Sequence, residues 1–271
     1  MTEAFELLRH GACGSSFSAR SHADTSSLLS PVLPPPLHGA VVELGPYLCD
    51  AFGNPHRIDY GTGHELAFLL LLLCLARVGA LKPPDRPAVV TRAFAAYLRV
   101  TRKLQRTYFL EPAGSHGCWG LDDYQFLPVD WGASQLDGHP HLKPSCIHDD
   151  RVLADEAGSW LYLDAVSFVR TVKSGALRET SPMLSDISAM PSWARVAAGM
   201  GRMFDAEVLV KLPIAQHFLF GSLVPWPTSE QQKASKEARE AKEAAAAQGG
   251  GDAVEGAAAA AGQGPHAAAA V

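Results

Sequence analysis

The chain has 271 residues, of which 47% are hydrophobic and 19% are charged, as is typical of a globular protein with a sizeable core. Its formal net charge of −5 argues against a general binder of nucleic acids or of anionic membranes. The five cysteines are widely spaced without a CxxC pair, which excludes a disulfide framework or a zinc knuckle and predicts free thiols in a reducing compartment.

Residues 1–40 show little hydrophobic periodicity and include the run PVLPPP, so we expect a mostly irregular region there. The first residues lack the apolar run of a secretory signal. The most apolar stretch, Leu66–Ala76, has 11 residues, whereas a membrane-spanning helix needs roughly 20. This stretch therefore predicts a buried core helix and no membrane segment.

The other elements are predicted from apolar residues at helical spacing and from the Pro and Gly residues that end them. No strand alternation is evident, so the predicted fold class is all-α. Gly and Ala dominate after Gln248, which predicts disorder there. The predicted helices cover residues 41–52, 66–80, 88–107, 151–174, 193–211 and 230–243, with a helix from Asp122 that Pro128 interrupts, a loop over 181–191 and a strand or extended segment over 214–223.

The predicted helix over 88–107 carries a run of basic residues on one face. A solvated helix face is the ordinary explanation of such a run, and a docking surface for an acidic partner is the alternative. The sequence leaves both open. The basic residues are Arg92, Arg99, Arg102, Lys103 and Arg106.

The segment EPAGSHGCWGLDDYQFLPVDWGASQ, residues 111–135, is too rich in Gly, Pro and aromatic residues for a regular helix or strand. Its glycines let backbone N–H groups approach an anion, and Asp122 and Asp123 are suited to a cation. A metal–phosphate ligand would contact both the glycine-rich part and the acidic pair of this segment. The alternative is a tight structural loop with Asp at a helix start.

A second glycine segment, Tyr60–Gly63, directly precedes the apolar helix. Backbone N–H groups and the Thr62 hydroxyl at a helix N-terminus form an anion site, although a simple capping turn remains an alternative. The neighbouring pair His64-Glu65 does not make a zinc-protease motif, because Phe68 stands where the second His is required. The spacing of the other histidines also predicts no metal site.

Together these stretches resemble one family, the activators of type 2A serine/threonine phosphatase, which are also called phosphotyrosyl phosphatase activators. The resemblance extends from about Val42 to Trp226. It rests on RIDYGTGHE (57–65), EPAGSHGCWGLDDYQFLP (111–128), HPHLKPSCIHD (139–149), SPMLSDISAMPSWARV (181–196) and EVLVKLPIAQHFLFGSL (207–223).

The resemblance implies an all-α fold with core, linker and lid subdomains and a deep pocket for ATP with magnesium. It also implies a surface that docks the phosphatase catalytic subunit, and peptidyl-prolyl cis-trans isomerase activity on proline-containing peptides. It implies a cytoplasmic location, with the nucleus as a second location. The alternatives are a docking module without catalysis and a fragment of the family that is inactive.

Matched to the family's motifs, eight positions acquire an implied role, while no catalytic residue is implied. Isomerisation needs no nucleophile, because its barrier comes from amide resonance and is lowered by a groove that favours the twisted amide. Trp119, Tyr124, Phe126 and Trp131 are candidates for such a groove or for partner contact, with buried packing as the alternative. The implied ATP contacts are Arg57, Thr62, Gly63, Gln216, His217 and Phe218, and Gly117 and Asp123 are implied at the magnesium.

The chain departs from the family pattern in two places. The family has several helices before the RIDYGTGHE stretch, whereas 56 residues precede Arg57 here, so we expect a shortened N-terminal part. Asp130 stands where the family is apolar, and its carboxylate would be costly to bury. We therefore divide the chain into a non-matching region 1–41, an activator domain 42–226 and a charged, then disordered tail 227–271.

Overall fold

The computed structural model describes residues 25–113, 121–215 and 218–249. The chain falls into two compact units, Met1–Val224 and Pro225–Val271. The described part of the second unit is dominated by one helix, Ser229–Gly249, which confirms the charged helix predicted there. Within the described residues, no helix is both long enough and apolar enough to cross a membrane.

The first unit is built from short helices with a single two-stranded parallel ladder among its described residues, and this confirms the predicted all-α class. Strands β1 (Asp59–Tyr60) and β2 (Glu111–Pro112) form the ladder. Helical turns precede the third helix at Pro83–Asp85, Arg86–Ala88 and Val89–Phe94, and others lie at Pro35–Ala40, Pro144–His148 and Asp205–Leu209. The α-helices are α1 (Val41–Asp50), α2 (Thr62–Arg77), α3 (Ala95–Tyr108), α4 (Leu127–Gln135), α5 (Asp150–Glu156), α6 (Leu161–Val172), α7 (Leu177–Thr180), α8 (Pro182–Ile187), α9 (Trp193–Phe204) and α10 (Leu212–Ala215).

One hydrophobic cluster forms where α4 packs against α6 and α9. Gly132 makes the contact with α6 possible, because a Cβ at this position would lie 2.2 Å from the backbone nitrogen of Tyr162. Trp193 is buried at the start of α9, and its indole Nε1 donates a hydrogen bond of 2.8 Å to the Leu142 carbonyl. This cluster forms one half of the core.

The second cluster buries α2 between α1 and α3. Phe68 of α2 stacks on Tyr97 of α3 with 3.9 Å between ring centroids, and the Tyr97 hydroxyl donates to the Ala51 carbonyl at 2.7 Å. The apolar run of α2 is therefore core, as its sequence predicts. Three cysteines in the described residues, at positions 49, 74 and 146, are free thiols, in agreement with the prediction for them.

Three predicted boundaries in the second half of the unit are wrong. The helix predicted over 151–174 is two helices, α5 and α6, because the chain leaves helical geometry near Gly158 and is extended at Trp160. The predicted loop 181–191 contains α8, whose first turn holds Pro182, a position where proline needs no N–H donor. Pro128 likewise does not interrupt a helix from Asp122, since it lies in the first turn of α4.

Three further expectations need correction. The region 1–40 is not irregular over its described part, because residues 25–29 are helical, Pro35–Ala40 forms a 3-10 turn and Leu33 is buried in the core. The helix predicted over 193–211 ends as α9 at Phe204 and continues as a wide π turn. The segment 214–223 begins inside α10 and is otherwise irregular where the structure describes it, rather than a strand.

Candidate functional site

A cavity of about 490 Å³ lies at the N-terminus of α2. Arg57, Gly63 and Phe218, three of the residues implied at ATP, line it together, although Phe218 is far from the other two in sequence. Carboxylate and cationic side chains share the lining with apolar ones. The other lining residues are Tyr47, Asp50, Asn54, Asp59, His64, Ala67, Leu70, Ala113, Glu207, Lys211 and Ile214.

A tight turn before β1 presents Arg57 to the cavity. The side-chain oxygen of Asn54 accepts the backbone N–H of Arg57 at 2.9 Å, which fixes the turn. Ile58 then adopts φ +53°, an unfavourable conformation for a β-branched residue. The Arg57 side chain is 53% exposed and its Nε donates to Asp59 Oδ2 at 2.7 Å. The strained backbone of Ile58 therefore lies next to a guanidinium group that is held by the Asp59 carboxylate.

The β1–β2 ladder joins the two glycine segments that the sequence singles out. β1 leads into the N-terminus of α2, and β2 leads into residues 114–120. Gly61 lies between β1 and α2, and a Cβ at this position would be 2.2 Å from the Ala113 carbonyl oxygen. Only glycine fits this contact. Thr62 is the first residue of α2, and the Gly61 cap makes no side-chain hydrogen bond. The His64 N–H already donates to the Gly61 carbonyl at 2.9 Å, so the N–H groups of Thr62 and Gly63 are the ones available to an anion.

His64 forms part of the cavity wall, a role that sequence reasoning missed. Its Nδ1 donates to the Asp50 carbonyl at 2.6 Å, and its Nε2 lies 3.6 Å from Asp59 Oδ1. The ring stacks on Tyr60 at 5.8 Å between centroids. The imidazole therefore connects the end of α1 to β1. The sequence shows it only as half of an incomplete zinc motif.

The segment that carries Phe218 is tied to α1. The Tyr47 hydroxyl donates to the Leu219 carbonyl, and Glu43 Oε2 accepts the backbone N–H of Leu223 at 2.9 Å. These contacts bridge more than 170 positions of the sequence. They hold the segment that carries Phe218 against α1, at one side of the cavity.

The Glu43 carboxylate also accepts a hydrogen bond from the Ser222 hydroxyl, which is the main reason that its pKa is lowered. Gly221 lies directly against it, and a Cβ there would be 2.3 Å from Glu43 Oε2. Arg77 of α2 adds a hydrogen bond to the Leu223 carbonyl. Residues 221–223 are therefore anchored to both α1 and α2.

The acidic pair after residues 114–120 is split by the fold. Asp123 forms an ion pair with Lys173, with 2.9 Å between Oδ1 and Nζ. Asp122 turns inward, where its Oδ1 accepts the Tyr124 N–H at 2.8 Å and burial raises the pKa of its carboxyl to about 6. Gly117, the other residue implied at magnesium, lies outside the described residues. Of the pair, Asp123 keeps a partly exposed carboxylate, which is already paired with Lys173, and neither residue lines the cavity.

Glu65 connects this region to α4, and it too was missed. Its side chain is buried, and Oε2 accepts the backbone N–H groups of Phe126 and Leu127 at 2.7 and 3.0 Å. Burial raises the pKa of the carboxyl to about 8. The side chain therefore supplies the first turn of α4 with an acceptor from a distant helix.

The family model described as "Phosphotyrosyl phosphate activator (PTPA) protein" matches residues 12–226 of this chain. The chain belongs to this family. The matched range starts upstream of the Val42 boundary drawn from the motifs and ends at the same residue, Trp226.

Individual PTPA-family relatives agree with this membership. The chain is 56% identical over 187 residues to "Serine/threonine-protein phosphatase 2A activator 2" of Gibberella zeae, covering 69% of this chain and 43% of that protein. It is 50% identical over 201 residues to the protein of the same name in Cryptococcus neoformans var. neoformans, covering 74% and 53%. The chain thus spans about half the length of these curated relatives.

A solved structure supports the fold. The crystal structure of the PP2A phosphatase activator Ypa1 matches with a TM-score of 0.70 and 36% sequence identity, covering 77% of this chain and 69% of that one. The all-helical PTPA-family fold is therefore present in this chain, over the parts that the two share.

Of the remaining residues implied by the PTPA-family resemblance, Gln216 and His217 lie outside the described residues. Trp119 does as well. The other aromatic candidates pack internally: Phe126 lies 5.5 Å from Phe204 between ring centroids, Trp131 lies 4.6 Å from Phe94, and the Tyr124 hydroxyl donates to the Leu110 carbonyl at 2.7 Å.

The cavity residues offer groups suited to the phosphates and the base of a nucleotide, whereas Asp123, the described residue implied at magnesium, does not line the cavity. Arg57, Lys211 and the first turn of α2 offer donors to phosphate oxygens, and Phe218 and Ile214 offer apolar surface to a base. The described residues contain no group of three His, Cys, Asp or Glu side chains that could hold a metal ion. A magnesium ion would thus take most ligands from phosphate and water, as it commonly does.

Proposed function

We propose that this chain binds ATP with magnesium in the cavity and activates the catalytic subunit of type 2A serine/threonine phosphatase as a peptidyl-prolyl cis-trans isomerase. The observation that carries the proposal is the convergence of Arg57, Gly63 and Phe218 on one cavity at a helix N-terminus. The names of the relatives, phosphatase 2A activators, support the partner. The cytoplasm and the nucleus remain the predicted locations.

In this proposal Arg57 binds phosphate through its planar fork of donors, and the Asp59 carboxylate on its Nε sets its orientation. Thr62 and Gly63 present a hydroxyl and an N–H group at the start of α2. Phe218 lines the cavity from a segment that is distant in sequence from Arg57 and Gly63, and Gln216 and His217 directly precede it in the chain.

Asp123 is the proposed carboxylate ligand of magnesium, with the Gly117 carbonyl as a second protein ligand. Lys173 holds Asp123 in place, because its Nζ also donates to the Thr180 carbonyl at 3.1 Å and is itself fixed. The ion, when bound, would neutralise phosphate charge that Arg57 and Lys211 only partly balance.

The isomerase step requires a surface that fits a twisted X–Pro bond better than a planar one. No residue of the chain has to act as a nucleophile, and none is assigned to that step. A proline-containing peptide, supplied by the phosphatase or in isolation, is the proposed substrate.

A second candidate function is a docking module that activates the phosphatase without nucleotide. One observation favours it: the Asp123 carboxylate already has a cationic partner in Lys173 at 2.9 Å. In that case the Asp123 carboxylate stabilises the fold and contributes to the surface that docks the phosphatase, and it binds no metal ion.

Asp123→Ala separates the two candidates. The full chain and the variant are incubated with inactive type 2A catalytic subunit, ATP and Mg²⁺, and dephosphorylation of a phosphopeptide is then followed. The nucleotide proposal predicts that the variant loses both ATP–magnesium binding and activation. Activation that survives the loss of nucleotide binding would establish docking as sufficient. Glu179→Ala, an exposed carboxylate away from the cavity lining, serves as the control.

A further inference from the structure

A second cavity, of about 710 Å³, lies between α3 and the turn that joins α5 to α6. It is distinct from the proposed nucleotide cavity, because the two share no lining residue. One wall is basic, and the opposite side holds Trp160, Phe168 and a single carboxylate, Asp164. We call it the basic groove. Its basic wall consists of Arg99, Arg102, Lys103 and Arg106.

The basic wall follows from the spacing of its residues on α3. Positions separated by three and four residues lie on one helix face, and the four cations follow that spacing. From Arg99 to Arg106 the helix rises roughly 10 Å, so the charges form a line and not a point. Arg99, Lys103 and Arg106 are exposed. The whole chain carries a net charge of −5, so this local cluster of positive charge is opposite in sign to the net charge of the protein.

Arg102 makes the groove different from a solvated helix face. Its side chain is only 9% exposed, and its guanidinium lies 4.5 Å from the centroid of the Phe168 ring. Nη1 donates to Asp164 Oδ2 at 2.5 Å, whereas Nε and Nη2 are buried with no acceptor in the described chain. Buried N–H groups without acceptors are costly, and this guanidinium has one carboxylate as its hydrogen-bonded partner. Because Asp164 is the single carboxylate in the lining and is paired with Arg102, the positive charges of Arg99, Lys103 and Arg106 are not balanced within the groove.

We propose that the basic groove binds an acidic segment of a partner protein in an extended conformation. Alternate side chains of an extended strand are roughly 6–7 Å apart, close to the roughly 5–6 Å between neighbouring positions on the α3 face. Acidic side chains at alternate positions thus meet Arg99, Lys103 and Arg106 in turn. Trp160, which is half-buried, receives the apolar side chains between them, whereas Phe168 is buried beneath Arg102 and forms the floor of the groove.

A small anion explains the groove less well than a peptide does. Its length and its volume exceed what one phosphate needs, and the aromatic side facing the cations has no use for a simple ion. The inference goes beyond the proposed function, because it concerns a separate cavity and needs no nucleotide.

The test is fluorescence polarisation of the full chain with a labelled eight-residue peptide that alternates Glu and Leu. A peptide with Gln in place of each Glu is the charge control. Lys103→Glu with Arg106→Glu reverses two exposed charges of the groove. Arg92→Glu reverses an exposed charge on the preceding helical turn, outside the lining, and is the matched control.

We expect each reversed charge in the groove to weaken binding roughly fivefold, so that the double variant loses at least about twentyfold. The Arg92→Glu variant should retain the wild-type affinity, and added salt should weaken binding of the Glu peptide. Saturating ATP with magnesium should leave the affinity unchanged. This separates a failure of this proposal from a failure of the nucleotide site.

Three results would overturn the proposal. Equal affinity for the Gln peptide would show that charge is not recognised. Equal losses in the Arg92→Glu variant and the groove double variant would show a general charge effect. Competition by inorganic triphosphate at the peptide's own concentration would show a simple anion site. Circular dichroism melts of every variant confirm that each one is folded.

Discussion

The Glu65 carboxyl group links α2 to α4, and two substitutions separate its hydrogen-bonding role from its ionisation. Gln keeps an oxygen acceptor for the N–H groups of Phe126 and Leu127, whereas Ala removes it. Because burial raises the pKa of this carboxyl to about 8, it is mostly protonated at neutral pH and resembles the Gln amide. We expect Glu65→Ala to cost about 2–5 kcal/mol and Glu65→Gln about 1 kcal/mol or less.

The same pKa fixes the sign of a pH dependence. Between the ordinary value of 4.5 and the folded value of about 8, the unfolded chain releases the Glu65 proton while the native chain retains it. The wild type therefore loses stability as the pH rises through this window. At about 1.4 kcal/mol per pKa unit, the loss between about pH 5 and about pH 8 is roughly 3 kcal/mol. The Gln variant has no such proton to retain.

Urea unfolding, followed by tryptophan fluorescence at about pH 5 and about pH 8, measures both effects. From about pH 5 to about pH 8, the unfolding free energy of Glu65→Gln should rise by roughly 3 kcal/mol relative to that of the wild type. Glu179→Gln, an exposed control, should follow the wild type at both pH values. If the wild type and Glu65→Gln show the same pH dependence, Glu65 is not the buried, neutral group described above.

Three further substitutions probe the fold. Gly132→Ala should cost about 2–4 kcal/mol in a thermal melt, because its Cβ would lie 2.2 Å from the Tyr162 nitrogen and force α4 from α6. Ile58→Asn should raise the urea midpoint, with a gain of about 1 kcal/mol, because Asn tolerates φ +53°. Burial, with Asp205 nearby, raises the pKa of the half-buried Asp130 to about 6. Asp130→Asn should therefore be more stable than the wild type by about 1–2 kcal/mol above pH 6, with no difference below about pH 4; unfolding at both pH values checks this.

The fold class and the core helix α2 could be predicted from the sequence because an unbroken apolar run has one physical explanation in a chain of this composition. The two glycine segments could also be recognised, each by itself. Their juxtaposition could not, because strands β1 and β2 have two residues each and leave no periodic pattern. The ladder depends on the contact between Gly61 and Ala113, which only the tertiary structure reveals.

The failures have similar physical causes. The apolar stripe of Arg151–Ser174 continues in register across the turn near Gly158, so periodicity alone does not reveal the break between α5 and α6. That turn also lines the basic groove, so the sequence showed the cations of α3 but not the cavity they face. Glu65 caps a helix that starts about sixty positions later, and no local signal identifies such a partner.

Binding of ATP with magnesium to the cavity of Arg57 tests the central claim most directly. A ligand at a hundred times its dissociation constant stabilises the native state by about 2.7 kcal/mol, which for a chain of this size raises the melting temperature by roughly 5–10 °C. The wild type and Arg195→Ala, an exposed arginine outside the cavity lining, should show this rise, and Arg57→Ala should lose most of it. An equal rise in Arg57→Ala, or none in the wild type, would contradict the account.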